Sequence, residues 1–172
     1  DEGITYKNLR AHAIISCEGA QAALGKSELK QEGFAPVKGE VLGIQVDQDL
    51  GGECIHQGHF MLDDGNMKAT VGATYAWDGF EDGPTPSKRQ ELEGHIQKVW
   101  NGTYEVLAHR SGVLPATKDR RPMVGPSNEA HTYVFNGMGS RAVLMAPFLA
   151  KVLTEHFMYG APLLEEALPT RF

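Results

Sequence analysis

Apolar positions along this chain change period several times, and each change predicts an element. Residues 34–46 place Val37, Val41, Leu42, Ile44 and Val46 in near-alternation, broken by Gly39 and Gly43, which predicts a long strand. Residues 55–62 and 67–75 predict a hairpin joined by the turn residues Asp63-Asp64-Gly65-Asn66. The period then becomes helical: Leu92, Ile96, Val99 and Trp100 form one apolar stripe. Ser87 with Gln90 three positions later reads as its capping box, and Asn101-Gly102 as its stop. Residues 104–114 return as a strand.

The two ends of the chain follow another pattern. Residues 12–16 form a short apolar run typical of a buried parallel strand, which predicts that Cys17 just after it is buried. A small-residue helical stretch follows and ends at Gly25. Met123-Val124 and residues 132–135 predict two more strands. Residues 136–142 form a glycine turn, and 143–157 a helix with two apolar rows, Leu144-Phe148-Val152 and Leu149-Leu153-Phe157. Pro147 is expected to bend or break the first turns of that helix. The tail beyond Tyr159, with its two prolines, is expected to lie loosely on the surface. The predicted fold is therefore mixed α+β, an antiparallel sheet with one helix across it inserted between two segments of a separate strand–turn–helix layer.

Composition narrows the classes of function. A chain of 172 residues is long enough to bury roughly 70% of its unfolded surface. Net charge is −6 with no basic run, which argues against nucleic acid as a partner. No run approaches the length of a membrane span, so the cytoplasm is the expected compartment. The two cysteines make no disulfide framework. His56 and His59 form a lone H-x-x-H pair, without the further ligands that a metal site requires.

The glycine turn is the clearest chemical feature. Gly137-x-Gly139-x-x-Ala142 satisfies the spacing G-x-G-x-x-A between a strand and a helix. A dinucleotide fold, however, needs a second parallel strand with an acidic residue about 20 positions on. That position falls at the end of the helix, near Phe157, so no βαβ unit follows and a nicotinamide-binding reading fails. The remaining functional reading is a row of backbone N–H groups at a positively polarised helix end, suited to electron-rich ligand oxygens.

Five segments carry a resemblance to a known family. LPATKDRRPMVGP (114–126) followed by NGMGSRAVLMAP (136–147) resembles the C-terminal signature of the glycine oxidase / D-amino-acid oxidase (DAO) superfamily of FAD-dependent oxidoreductases. PVKGE (36–40), VGAT (71–74) and HAIISCEGAQA (12–22) resemble further segments of that superfamily, in its order. The resemblance implies that residues 1–33 and 115–172 are the remnant of a Rossmann-like FAD-binding half, and that 34–114 form the antiparallel substrate domain. It implies that Gly19, Gly137, Met138, Gly139, Ser140, Arg141, Ala142, Val143 and Leu144 hold the flavin. It further implies hydride transfer from a substrate C–H next to nitrogen to flavin N5, on a small amine or amino-acid-like substrate. Nothing before residue 137 resembles the family's pyrophosphate-binding motif. The chain thus reads as a C-terminal fragment that needs an N-terminal FAD-binding half and is inactive and flavin-free alone.

Cys17-Glu18 stand where the family has Ala-Thr before the glycine of the first turn, and two substrate-side positions also depart from the family pattern. The arginine that grips substrate carboxylates corresponds to Leu114, and an assisting tyrosine to Phe60. Substitute anchors are Arg110, in strand parity with Leu114, His59 or Arg141. Loss of both family contacts also suits an alternative, a non-catalytic binding or assembly domain that keeps the fold without the chemistry.

Overall fold

The computed structural model describes residues 3–172. They divide into two compact units, one of Asp1–Pro36 with Leu114–Phe172 and the other of Val37–Val113.

The Val37–Val113 unit is a five-stranded sheet with a helix packed on it. Its strands are β4 (Val37–Val46), β5 (Cys54–Gln57), β6 (His59–Gly65), β7 (Lys68–Gly72) and β8 (Tyr104–Leu114, whose last residue belongs to the other unit), in the order β5-β6-β7-β4-β8. The alternation read in β4 is real: Lys38, Glu40, Leu42, Ile44 and Val46 are all buried. Leu42 lies opposite Val71, and Ile44 opposite Ala69. These residues meet Leu92 and Ile96 of α2 (Pro86–Val99), and Val99 and Trp100 pack at the margin, as the apolar stripe predicts.

Three local expectations change. Residues 55–62 are not one strand: the chain reverses at Gly58, whose φ of 84° is left-handed, and β5 folds back on β6 with His56 opposite Phe60. The turn between β6 and β7 is carried by Asn66 and Met67, both at positive φ (55° and 57°), one step later than the Asp-Asp-Gly-Asn reading. Likewise Ser87 does not cap α2. Thr85 is the N-cap and Pro86 takes the first helical position, where its missing N–H costs nothing.

The other unit holds a hairpin of β1 (Ile4–Tyr6) and β2 (Leu9–Ala11) and a three-stranded sheet. In that sheet β10 (Thr132–Asn136) runs parallel to β3 (Ile14–Ser16) and antiparallel to β9 (Met123–Pro126). Strand β3 is an edge, so Ile15 and Cys17 are exposed rather than buried. A short helix, α1 (Ala20–Ala23), follows β3, and a 3₁₀ turn at Gly139–Arg141 leads into α3 (Ala142–Tyr159). Helix α3 runs through Pro147 without a break. The proline removes only the bond to the Val143 carbonyl, in an exposed first turn where water can replace it. Of its two apolar rows only one is inside: Leu149 and Leu153 are buried with Val124, Met138 and Ala167, whereas Leu144 and Phe148 face out.

The tail is fastened, not loose. It forms two 3₁₀ turns, Glu165–Ala167 and Pro169–Arg171, with Ala167 and Pro169 buried. Arg171 makes a two-point pair with Asp119, at 2.7 and 3.1 Å, and donates to the Arg121 carbonyl.

Candidate functional site

One candidate region is the C-terminal end of the parallel pair β3 and β10. Both strands run into glycine turns, at Gly19 (φ 55°) and Gly137 (φ 75°). Asn136 joins them: its side-chain N–H₂ donates to the Gly19 carbonyl at 3.1 Å, and its carbonyl oxygen accepts the Gly137 N–H at 2.8 Å. Asn136 is buried, and no reading of the sequence singled it out. Gly137 is packed tightly, because a Cβ there would come within 2.8 Å of the Thr117 methyl. Around Gly19 the space is open, since a Cβ would meet nothing within 4 Å.

Met138 is buried and supports the turn from beneath. Gly139 has φ 53°, and with Ser140 and Arg141 it forms the 3₁₀ turn that aims α3. No side chain caps the start of α3. Within the 3₁₀ turn, however, the Arg141 N–H already donates to the Met138 carbonyl and the Ala142 N–H to the Gly139 carbonyl. The helix end therefore offers its positive polarity only through the amides that remain in its first turn. Ala142 packs inward, whereas Val143 and Leu144 are 92% and 80% exposed. The Arg141 guanidinium folds back onto the Arg120 carbonyl, so its charge braces the 117–121 turn rather than standing free. Uncapped amides beside exposed apolar side chains suit a ligand that joins a flat apolar face to electron-rich carbonyl oxygens. An isoalloxazine ring has that character, and the residues here fit it.

A separate candidate region is the sheet of the Val37–Val113 unit, where among the described residues of that unit no helix covers the face away from α2. Register assigns the faces. Phe60 pairs with Gly72, and Leu62 with Thr70, which pairs with Gly43. These residues therefore share the open face. Arg110 joins them: its Nη2 lies 4.0 Å from where a Cβ on Gly43 would stand.

His59 does not join them. It points to the helix side, where its Nδ1–H donates to the Ala73 carbonyl at 3.0 Å and its Nε2 lies 3.3 Å from Glu91. The H-x-x-H spacing also dissolves, because His56 sits on the open face opposite Phe60. Of the four pocket residues read from the sequence, Phe60 and Arg110 share one face of one sheet, His59 is behind it, and Leu114 ends β8 in the other unit.

The helix side contains a buried polar cluster that the sequence reading missed. Glu40 is 2% exposed. Its carboxylate accepts the Thr85 N–H at 2.8 Å and the Thr85 hydroxyl at 3.1 Å, and lies 3.5 Å from Lys38 and 2.8 Å from His109 Nε2. The His109 contact is a close charge contact, not an aligned hydrogen bond. Burial pushes the Glu40 carboxyl up, but the Thr85 bonds, Lys38 and His109 together hold it below the usual range. The PVKGE spelling held a signal: Lys38 and Glu40 share the alternating phase of Leu42 and Ile44, so both had to be buried. Among the described residues no group of His, Cys, Asp and Glu is arranged to hold a metal ion, and no helix is long and apolar enough to cross a membrane.

A cavity of about 440 Å³ lies elsewhere in the first unit, lined by Leu29–Glu32 residues, Pro126, Asn128 and Phe172. No residue of the glycine turn lines it.

Comparison with known proteins adds the following. The family model for DAO, described as FAD dependent oxidoreductase, matches residues 1–156. A curated relative, the tRNA 5-methylaminomethyl-2-thiouridine biosynthesis bifunctional protein MnmC of Idiomarina loihiensis, is 29% identical over 125 residues, which is 69% of this chain and 20% of that protein. Among solved structures, iminodiacetate oxidase from Chelativorans sp. BNC1 superposes with a TM-score of 0.76 at 25% identity, covering 94% of this chain and 47% of the other. Glycine oxidase from Geobacillus kaustophilus gives 0.70 at 21% identity, covering 85% and 41%, which speaks for the fold alone. The chain thus spans under half the length of these solved structures.

Proposed function

Because this chain belongs to the DAO family of FAD-dependent oxidoreductases, we propose that it forms part of an enzyme oxidising a small amine or amino acid at the carbon next to nitrogen. In this reading residues 1–33 and 115–172 belong to the flavin-holding half and 34–114 to the substrate domain, and a dinucleotide-binding half completes the protein. When bound, FAD supplies the capacity to accept two electrons from the substrate carbon.

The chain's own residues have separate tasks. The amides of Gly139, Ser140, Val143 and Leu144 present positive polarity where the ring's carbonyl oxygens lie, and so stabilise negative charge there. Ala142, whose N–H is held by the Gly139 carbonyl, packs the turn in place. Val143 and Leu144 exclude water from the ring's flat face. Gly19, Gly137 and buried Met138, tied through Asn136, keep the two turns at one spacing. Arg141 acts by bracing the 117–121 turn through the Arg120 carbonyl. On the substrate domain, the open face bearing Phe60 and Arg110 receives the amine, while His59 and Leu114 contribute packing. The observation that carries this reading is the pair of cross-linked glycine turns leading to an uncapped helix with an exposed apolar first turn.

The test joins this chain to a dinucleotide-binding half carrying G-x-G-x-x-G. Bound flavin in the purified joined protein, and peroxide or acceptor reduction on adding amines, is expected. A joined protein that folds yet holds no flavin defeats the proposal. The 172-residue chain alone is expected to bind FAD weakly, because it has no pyrophosphate grip of its own. A second reading, a non-catalytic binding or assembly domain, is favoured by Leu114 and Phe60, which lack the groups that hold a carboxylate in the family pattern. Flavin bound without turnover of any amine would select it.

A further inference from the structure

The cavity of about 440 Å³ lies among residues 29–32, 126–129 and 169–172, and no residue of the glycine turns or of the open sheet face lines it. That volume is in the range of sites for small molecules. Each of its three walls is fixed by the fold. Behind residues 29–32 the Gly33 carbonyl accepts the Lys118 N–H at 2.9 Å, and the Ala35 N–H donates to the Ala116 carbonyl at 2.8 Å. The turn after β9 is closed by the Ser127 N–H on the Thr132 carbonyl at 2.9 Å and by the Glu129 N–H on the Ser127 hydroxyl at 3.1 Å. The third wall is held by Arg171 on Asp119. The Phe172 ring there rests on bare backbone, because a Cβ at Gly33 would collide with it. Gly33 has φ 87°, so both angle and space require glycine.

The lining combines two kinds of surface. Pro126, Pro169 and the Phe172 ring are apolar, and Lys30, Glu32 and Glu129 are charged. Elsewhere in the chain exposed charges find partners: Lys88 with Glu91, Lys151 with Glu155, Arg171 with Asp119. Among the described residues, Lys30, Glu32 and Glu129 make no ion pair and no side-chain hydrogen bond, although they border one hollow. A single unpaired surface charge is ordinary. Two carboxylates and an ammonium around one preformed hollow, with apolar surface between them, form a pattern that the fold itself leaves unanswered.

We propose that this cavity is a binding site for a free basic amino acid such as arginine, separate from the glycine turns. The ligand's carboxylate pairs with Lys30, and its α-ammonium and side-chain cation pair with Glu32 and Glu129. Its methylene stem lies against Pro126, Pro169 and Phe172. One anionic and two cationic groups on an apolar stem complement the lining sign for sign. A neutral amino acid leaves one carboxylate unanswered, and a decarboxylated ligand leaves Lys30 unanswered. Because all three charged side chains are exposed, each pair contributes modestly and weakens with salt. The site therefore responds to millimolar rather than nanomolar ligand. It requires neither flavin nor the Val37–Val113 sheet.

The test is a titration of the 172-residue chain at constant ionic strength, followed by backbone amide NMR. The probes are L-arginine, agmatine, which lacks the carboxylate, and L-norvaline, which lacks the side-chain cation. Arginine is expected to shift the amides of Gln31, Glu32, Asn128, Glu129 and Thr170, to leave those of Gly137 and Gly139 unmoved, and to bind more tightly than either other probe. K30Q is expected to weaken arginine about 2- to 5-fold and to leave agmatine unchanged. The double variant E32Q/E129Q is expected to weaken both by at least as much. These exposed substitutions keep the fold, which the unchanged signals of the core report. The proposal is overturned if arginine up to about 10 mM shifts none of those amides, if agmatine or norvaline binds as tightly as arginine, or if K30Q binds arginine as the wild-type chain does. Flavin uptake by the joined protein has no bearing on this result.

Discussion

Asn136 and Gly19, far apart in sequence, are joined by one partly buried hydrogen bond of 3.1 Å between the ends of two parallel strands. The bond holds the two glycine turns at one spacing. Asn136→Ala removes a donor and an acceptor at once and leaves the Gly137 N–H unpaired. A loss of about 1–3 kcal/mol of stability is expected in urea unfolding. Asn136→Asp keeps the acceptor for Gly137 and loses the donor to Gly19. If it is as stable as wild type, the Gly19 bond contributes nothing.

The Glu40 cluster should behave as a buried ion pair does. Glu40→Leu leaves Lys38, itself 3% exposed, without its carboxylate and leaves the start of α2 uncapped. Destabilisation of about 3–5 kcal/mol is expected. Replacing both partners, as Lys38→Met with Glu40→Leu, should recover much of that loss, because no uncompensated charge remains. A double variant no better than the single one would place the cost in the lost Thr85 cap instead.

Asp119 and Arg171 predict an acid-side signature. The Arg171 guanidinium, with help from the Arg121 N–H, holds the Asp119 carboxyl far below its usual range. A depressed folded pKa gives stability that is present above the unfolded value of about 3.9 and is lost as pH falls through the folded one. Asp119→Asn should therefore cost about 1 kcal/mol at neutral pH. Its difference from wild type should shrink below about pH 4. Thermal unfolding of both proteins across that range checks the sign.

His95 predicts a loss in the same direction, in a higher window. Its ring is buried on α2, and desolvation, aided by the nearby charges of His59, Lys98 and His56, lowers its pKa. The unfolded chain then binds a proton that the folded one refuses, so stability is full above about pH 6.5 and falls as pH drops below it. His95→Phe should flatten that fall. An unchanged slope in chemical denaturation between neutral and mildly acidic pH would assign it to other groups.

The elements were legible because their causes are local. Alternation in β4, the stripe of Leu92 and Ile96, and the glycines around 137–139 each follow from a period or a backbone angle that a few adjacent residues impose. The DAO resemblance was legible for the same reason, being carried by short runs of neighbouring residues. Faces and partners were not. Leu144-Phe148 and Leu149-Leu153 are equally apolar rows of one helix, and only packing against Val124, Met138 and Ala167 chose the second. His59 and Phe60 look like one site in a list, yet the reversal at Gly58 and the pairing with β7 put them on opposite sides of a sheet. The Arg171–Asp119 tie, the Asn136–Gly19 bond and the burial of Glu40 beneath Thr85 join residues distant in the chain. Such contacts depend on strand register and chain closure, which no local pattern encodes, and so the tertiary structure alone decided them.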